Sequence, residues 1–312
     1  MIEAKNLTKY YGRTKAIENV SFYIEKGEIV GLLGPNAAGK TTIMRILTCF
    51  LPPSSGTAKV NGYDIWENPF QVQKSIGYLP EKNPLYDEMT VGEFLNFVAE
   101  SKGIRKKIEK RKKIADAMAN CGILDVEKKL IGKLSKGYRQ RVGIAQAIIN
   151  DPSCLILDEP TIGLDPKQII ETRKMIKDLA GNRTVILSTH ILPEVSMTCE
   201  RVIIINEGKI VASDSVENLT VGLKGITEIN LEVEGSPEQI KKSLIEITGI
   251  KEVEIVPPIK EIVNKYIVRT EKGKDLRKEI SSKLVNNGFG LLEISTREMS
   301  LEDIFLKLVT KE

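Results

Sequence analysis

The run Gly34-Pro35-Asn36-Ala37-Ala38-Gly39-Lys40-Thr41 constrains this chain more than any other feature. It fits G-x-x-x-x-G-K-[ST] and stands between an apolar strand pattern, Glu28–Leu33, and an apolar helix pattern, Thr42–Leu51. A glycine-containing loop in that setting aims successive backbone N–H groups at phosphate oxygens, and the helix N-terminus adds its dipole. Lys40 is placed to neutralise β/γ-phosphates and the Thr41 hydroxyl to hold Mg²⁺. A strand-to-helix turn that matches the pattern by chance leaves both flanks unexplained.

The second informative run, Leu155-Ile156-Leu157-Asp158-Glu159, is apolar until it ends in two adjacent acids. A central parallel strand delivers carboxylates to the sheet's C-terminal edge in this way. Asp158 is expected to reach Mg²⁺ through water, and Glu159 to polarise an attacking water. Alone, the run suits a strand followed by a solvated acidic turn equally well; a phosphate loop in the same chain favours the first reading. His190 is the only histidine. It follows Glu159 by 31 residues at the end of the next apolar strand pattern, Val185–Ser188, which favours a functional over a structural role.

A third run, Leu134-Ser135-Lys136-Gly137-Tyr138-Arg139-Gln140-Arg141, begins its Ser-x-Gly core 23 residues before Asp158. With the two runs above it resembles the ATP-binding subunit of ABC transporters, over residues 1 to about 215. Other short motifs agree in order. Tyr11-Gly12 is similar to the aromatic that stacks on adenine, although Tyr10 beside it, or a core role for either, is an alternative. Gly163-Leu164-Asp165 is similar to the D-loop, and His190 to the switch histidine.

The resemblance implies an α/β P-loop NTPase of ABC type: a largely parallel sheet, N-terminal antiparallel strands and a helical subdomain at about residues 82–150. It implies that ATP meets Tyr11, then Gly34, Pro35, Asn36, Ala37, Ala38, Gly39, Lys40, Thr41 and Thr42, and that Ser135, Gly137 and Asp165 complete the site from another copy. Thr41, Glu81 and Asp158 are the implied Mg²⁺ residues; Lys40, Glu159 and His190 are the implied catalytic ones. The implied partners are an integral-membrane permease and a second ATP-binding subunit, as homodimer or heterodimer. The implied place is cytoplasmic, peripheral on the inner face of the cell membrane through the permease.

Three positions depart from the family's common pattern. Ala37 stands where many members carry Gly, and its methyl group is expected to require a negative φ. The signature reads Leu-Ser-Lys-Gly-Tyr, so Lys136 adds a cation beside Ser135 and Gly137. Glu81, after Ile76-Gly77-Tyr78-Leu79-Pro80, replaces the usual Mg²⁺-sensing glutamine; it keeps an oxygen and adds a negative charge. Retained geometry with altered electrostatics is expected.

Composition adds limits. A chain of 312 residues suggests two domains, and at that length no disulfide or metal staple is needed. Its 46 basic and 42 acidic residues leave +4, so bulk charge gives no mandate for nucleic acid, and none is expected as a partner. One stretch departs from that balance: Lys102–Lys113 holds eight Lys or Arg and one Glu. A solvated helix surface is the plain reading, a phosphate- or lipid-binding patch the sharper one. Cys49, Cys121, Cys154 and Cys199 are far apart and form no CxxC pair, which argues against zinc and redox chemistry. No apolar run nears the roughly 18 residues that cross a bilayer, and the N-terminus has no signal-peptide pattern.

Beyond a polar stretch at residues 213–227 the order becomes strand, helix, strand, strand, helix, strand between Glu228 and Ser295. This suits a small α+β ferredoxin-like domain, expected over 221–312 after an ATP-binding domain over 1–220. A last helix is expected at Ser300–Val309, opened by Ser300 and Asp303. That module, with Ser300-Leu301-Glu302-Asp303-Ile304-Phe305, looks like the branch holding drug-resistance, sodium-efflux, copper-processing and gliding-motility ATPases. The reading is an ATP-hydrolysing transporter subunit. Its alternatives are a soluble ABC ATPase of translation or repair type, and a regulatory module without turnover; the intact Lys40, Asp158, Glu159 and His190 argue against the last.

Overall fold

Alternating apolar residues open the chain as a hairpin. β1 (Ile2–Tyr11) and β2 (Thr14–Ile24) pair antiparallel and bury Ile2, Leu7, Ile17 and Ile24 on one face. β3 (Ile29–Leu33) is buried at every position and leads into α1 (Lys40–Leu47). α1 stops short of the expected Leu51 because Cys49 takes a left-handed φ of 54°. β4 (Ser55–Val60) and β5 (Tyr63–Asp64) return to the hairpin and complete a sheet of order β2-β1-β4-β5. The computed structural model describes residues 1–181, 183–222, 228–260, 263–271 and 275–297, in two compact units, Met1–Val216 and Glu217–Glu312.

The second half of the first unit alternates helices with strands. α2 (Pro69–Ser75) and β6 (Ile76–Leu79) come first. α3 (Val91–Ser101) opens with a reciprocal capping box between Thr90 and Glu93. α4 (Lys107–Asn120) follows a break at Gly103, whose φ of +82° divides the helical stretch read from Val91 to Ala119. Next stand α5 (Lys136–Ile148), β7 (Cys154–Asp158), α6 (Pro166–Ala180), β8 (Thr184–Thr189), α7 (Leu192–Thr198), β9 (Arg201–Asn206) and β10 (Lys209–Ser215); α8 (Val216–Gly222) begins at this unit's last residue and continues in the second unit.

The second sheet has the order β10-β9-β3-β8-β7-β6 and is parallel apart from β10. β3, β7 and β8 are buried along their whole length, as strands covered on both faces must be. Leu33 stands beside Thr189 and Asp158 beside Ser188, so the phosphate loop, the acid pair and His190 leave one sheet edge as neighbours.

Gly77 of β6 shows how tightly α5 lies on this sheet. A Cβ there would sit 2.3 Å from the Ala147 carbonyl oxygen. Backbone cannot yield as a side-chain tip can, so Gly77→Ala is expected to cost about 1–3 kcal/mol, read by urea denaturation. An unchanged midpoint would show that α5 is free to move away.

The second unit contains β11 (Glu228–Glu234), α9 (Pro237–Ile245), β12 (Ile250–Lys260), β13 (Val263–Thr270), α10 (Arg277–Asn286) and β14 (Gly290–Arg297). Its sheet runs β12-β13-β11-β14, antiparallel throughout. Ile229, Leu231 and Val233 alternate inward and meet Ile240, Leu244, Ile280 and Leu284 from the helices in a separate core. Element order and strand order are those of a ferredoxin-like α+β module. The expected helix at Ser300–Val309, with Ser300 and Asp303, lies outside the described residues.

Candidate functional site

The loop between β3 and α1 turns because each residue's backbone serves a neighbour. Ala38 N–H donates to Pro35 O at 3.2 Å, which closes a four-residue turn with Ala37 at its third position. That position takes a left-handed φ in a type II-like turn. Ala37 accordingly has φ +64°, not the negative value expected from its methyl group. The loop's curl overrides the residue's preference, at a cost of about 1–2 kcal/mol. Gly39 caps α1 at φ 107°, and a Cβ there would lie 2.6 Å from Ile17 Cγ2, so both conformation and space demand glycine.

Lys40 is 7 % exposed, with its ammonium curled under the loop. Nζ donates to Gly34 O at 2.7 Å and Pro35 O at 3.1 Å, and lies 3.5 Å from Glu159 Oε1. Glu159 is buried too, and its φ of 49° makes it a strained non-glycine residue just after β7. His190 Nδ1 approaches Glu159 Oε2 at 3.0 Å and Oε1 at 3.2 Å. Around one cavity of about 480 Å³ stand Asn36–Thr42, Glu81, Glu159 and His190. Gly34 and Pro35 touch that group through the bonds from Lys40.

Asp158 lies beneath, fully buried. Its Oδ1 accepts from Ser188 Oγ at 2.5 Å, while Oδ2 has no hydrogen-bond partner among the described residues. A buried carboxylate oxygen left over in this way suits a cation. The donor types at hand, the Thr41 hydroxyl and carboxylates, suit hard Mg²⁺. No group of three or more His, Cys, Asp or Glu able to hold a metal occurs among the described residues. Water and substrate phosphate oxygens would therefore complete the coordination, as is usual for Mg²⁺.

Ser135, Gly137 and Asp165 do not line this cavity; they form a second, separate cluster. Ser135 caps α5, accepting from Tyr138 N at 3.4 Å, and Asp165 caps α6, accepting from Gln168 N at 2.9 Å. The two caps meet side by side: a Cβ on Gly137 would lie 2.7 Å from Gln168 Cδ, and one on Gly163 would lie 2.0 Å from Lys136 Nζ. The added lysine of the signature thus lies across the D-loop glycine of its own chain. Tyr11 is 44 % exposed at the end of β1, with Lys9 Nζ 5.8 Å from its ring centroid. Neither Tyr11 nor Tyr10 is a core residue, and Tyr11 is outside the cavity, where Ala16 of β2 contributes instead.

Sequence reasoning missed the residues that hold this edge in place. Ser188 also accepts from Glu159 N at 2.9 Å, and so fixes both acids. Glu194 of α7 is 2 % exposed; it accepts from Thr189 Oγ1 at 2.6 Å and from Thr161 Oγ1, and Arg173 stands 3.7 Å away. Its one carboxylate ties the segment after Glu159 to the strand end before His190. Gln140 of α5 donates to Pro160 O at 2.8 Å, linking the signature helix to the same turn. The cysteines play no part: burial pushes the thiols of Cys121 and Cys154 up to about 12, far from a nucleophile's range.

Comparison with known proteins agrees with this geometry. The ABC transporter family model matches residues 17–162. The bacitracin transport ATP-binding protein BcrA of Bacillus licheniformis is 33 % identical over 99 % of this chain and 97 % of its own length. The linearmycin resistance ATP-binding protein LnrL of Bacillus subtilis is 30 % identical over 99 % of this chain and 98 % of its own. Among solved structures, an ATP-binding subunit of an ABC transporter superposes with a TM-score of 0.65 at 28 % identity, covering 72 % of this chain and 93 % of that one. The dimeric bacterial ABC transporter cassette MJ0796 gives 0.64 at 27 %, covering 69 % and 98 %. With full-length relatives at this level of identity and the phosphate loop, acid pair and histidine at one sheet edge, the chain belongs to the ATP-binding subunits of ABC transporters.

Proposed function

We propose that this ATP-hydrolysing subunit holds Mg–ATP on its phosphate loop, closes over it with Ser135 of a second ATP-binding subunit, and drives a separate integral-membrane permease. The observation that carries the proposal is the convergence of Lys40, Glu159, His190 and Glu81 on one cavity, with the adjoining Asp158 Oδ2 left without a hydrogen-bond partner among the described residues. The Ser135–Asp165 cluster, lying outside that cavity, is what a second copy presents in return. The partner is a homodimer or heterodimer mate.

The chemistry follows from positions. Lys40 exchanges its loop carbonyls and its 3.5 Å contact with Glu159 for the β/γ-phosphates, which frees the carboxylate. His190, bonded to both oxygens of Glu159, holds that carboxylate in one orientation. Glu159 then accepts a hydrogen bond from the attacking water and draws its proton away. Thr41 and Asp158 would hold Mg²⁺, with Glu81 offering a further oxygen; when bound, the ion would neutralise charge on the β/γ oxygens. The protein's share is positioning and electrostatics.

The permease contact is assigned to Glu81–Glu93, which starts at the cavity and ends at α3. Tyr86 there is 50 % exposed and rests edge-on against Phe94 and Phe97, with centroids 6.1 and 5.8 Å away. That arrangement suits reception of a partner helix, and it supports the reading of the chain as peripheral on the inner face of the membrane through its permease. The soluble translation or repair reading is not favoured, since full-length relatives are transport and resistance proteins. The Glu217–Glu312 unit is assigned to the accessory domain of the drug-resistance branch, with domains meeting near residue 220. A photo-crosslinker at Tyr86 in cells tests the contact. The expected product joins the chain to an integral-membrane protein, in a yield that changes with ATP. A chain that pellets with membranes yet crosslinks to no membrane protein contradicts it.

A further inference from the structure

The chain as a whole carries +4, yet Lys102–Lys113 alone holds eight Lys or Arg against one Glu. This segment joins α3 to α4 and supplies the first half of α4. Its turn at Gly103 brings it beside α2. A cavity of about 850 Å³ opens there, with Phe70, Lys74, Lys102, Arg105, Lys106 and Lys113 among its walls. Lys113 is paired, 3.7 Å from Glu109, and nearby Lys110 is paired with Glu100. Lys74, Lys102, Arg105 and Lys106 make no ion pair and no side-chain hydrogen bond among the described residues. Lys106 is also the N-cap of α4 and gives the first turn no side-chain cap, so backbone N–H groups point into the same positive region.

An apolar side chain accompanies the cations: Phe70, on the cleft wall, is 73 % exposed. A pocket for one small anion has no use for it. An exposed aromatic side chain beside cations that have no ion pair among the described residues suits a surface that lies in a lipid interface: charges at the headgroups, the apolar tip below them. A strand of nucleic acid asks instead for successive aromatic platforms, and Phe70 is the one aromatic of this cleft. The cleft also shares Gln73 and Lys102 with a shallower groove of about 310 Å³, lined by the 72 % exposed Phe50 and by Tyr78.

We propose that this cleft docks the chain on an anionic membrane leaflet, with Lys74, Lys102, Arg105 and Lys106 taking headgroup phosphates while Phe70 enters the headgroup–acyl boundary. The proposal rests on the reading of the chain as a membrane-associated transporter subunit, and it gives the subunit a hold on lipid independent of its permease.

The test sediments the full chain with vesicles of phosphatidylcholine containing about one-third phosphatidylglycerol, a fraction at which each basic residue near the surface strengthens binding about five-fold. Binding is expected with these vesicles, not with phosphatidylcholine alone, and is expected to fall in high salt. Arg105→Gln with Lys106→Gln is expected to weaken it about 25-fold, two such factors together. Phe70→Ser is expected to weaken it at every salt concentration. ATP binding should be unchanged in both variants, which lie outside the nucleotide cavity. Equal sedimentation with both vesicle types, or indifference to these substitutions, overturns the proposal. So does displacement by millimolar inorganic phosphate, which marks an isolated phosphate pocket, or binding of a short RNA through the same residues without vesicle binding. Loss of vesicle binding with ATP turnover intact removes the lipid surface and leaves the ATPase assignment. Loss of turnover with vesicle binding intact does the reverse.

Discussion

Glu159→Gln is expected to slow ATP turnover by about 10²–10⁴-fold while Mg–ATP binding survives, because the substitution keeps shape and removes the basic charge. The structure makes the test clean. Glu159 N is held by Ser188 Oγ at 2.9 Å, and the backbone around it does not depend on the side-chain charge. A glutamine oxygen can still face His190, and its amide must then turn toward Lys40, 3.5 Å from the present Oε1. An amide pointed at an ammonium repels it slightly, so Lys40 should leave for the phosphates at least as readily. Phosphate release under single-turnover conditions measures the chemical step itself. A variant within a few-fold of the wild type would move the base elsewhere.

Lys40→Ala is expected to lose both binding and turnover. Truncating one partner of a buried, hydrogen-bonded charge pair costs about 2–5 kcal/mol, so ATP affinity should drop by roughly 30-fold or more. The variant leaves Glu159, at 6 % exposure, without the cation that stands beside it, so some loss of thermal stability should accompany the effect. Isothermal titration with Mg–ATP on protein of confirmed fold separates the two consequences. Near-normal affinity in a folded Lys40→Ala would remove the loop from the nucleotide site.

Where chemistry is carried by contiguous residues it could be read from the chain. The loop Gly34–Thr41, the acids after β7 and the caps Ser135 and Asp165 each sit in one short run whose neighbours declare a strand or a helix. The second unit was equally legible, since Ile229, Leu231 and Val233 alternate and the helices after them bury residues four apart, Ile240 with Leu244 and Ile280 with Leu284. Legibility failed where the deciding contact is distant. Glu194 lies four residues past His190 in a short helix and looks like any surface acid; only folding brings Thr161 and Thr189 to its carboxylate. Ser188 earns its role by standing opposite Asp158 in the sheet register. β4, β5 and β10 are polar along much of their length, and β5 and β10 pair at sheet edges, so neither periodicity nor apolar content announced them. Ala37 was misjudged for a related reason: residue preference argues for a negative φ, and the hydrogen bond from Ala38 to Pro35 argues harder for a positive one.

The claim on which the account turns is that one chain holds only part of each nucleotide site, with Ser135 supplied by another copy. Light scattering on Glu159→Gln, with and without saturating Mg–ATP, tests it most directly. With hydrolysis blocked, two nucleotides per pair act as glue, and the complex should tighten as ATP rises. The mass should double on adding ATP, and return to that of the monomer when Ser135→Arg is added without loss of ATP binding. A fully ATP-loaded Glu159→Gln that stays monomeric would contradict closure by a second copy of this chain.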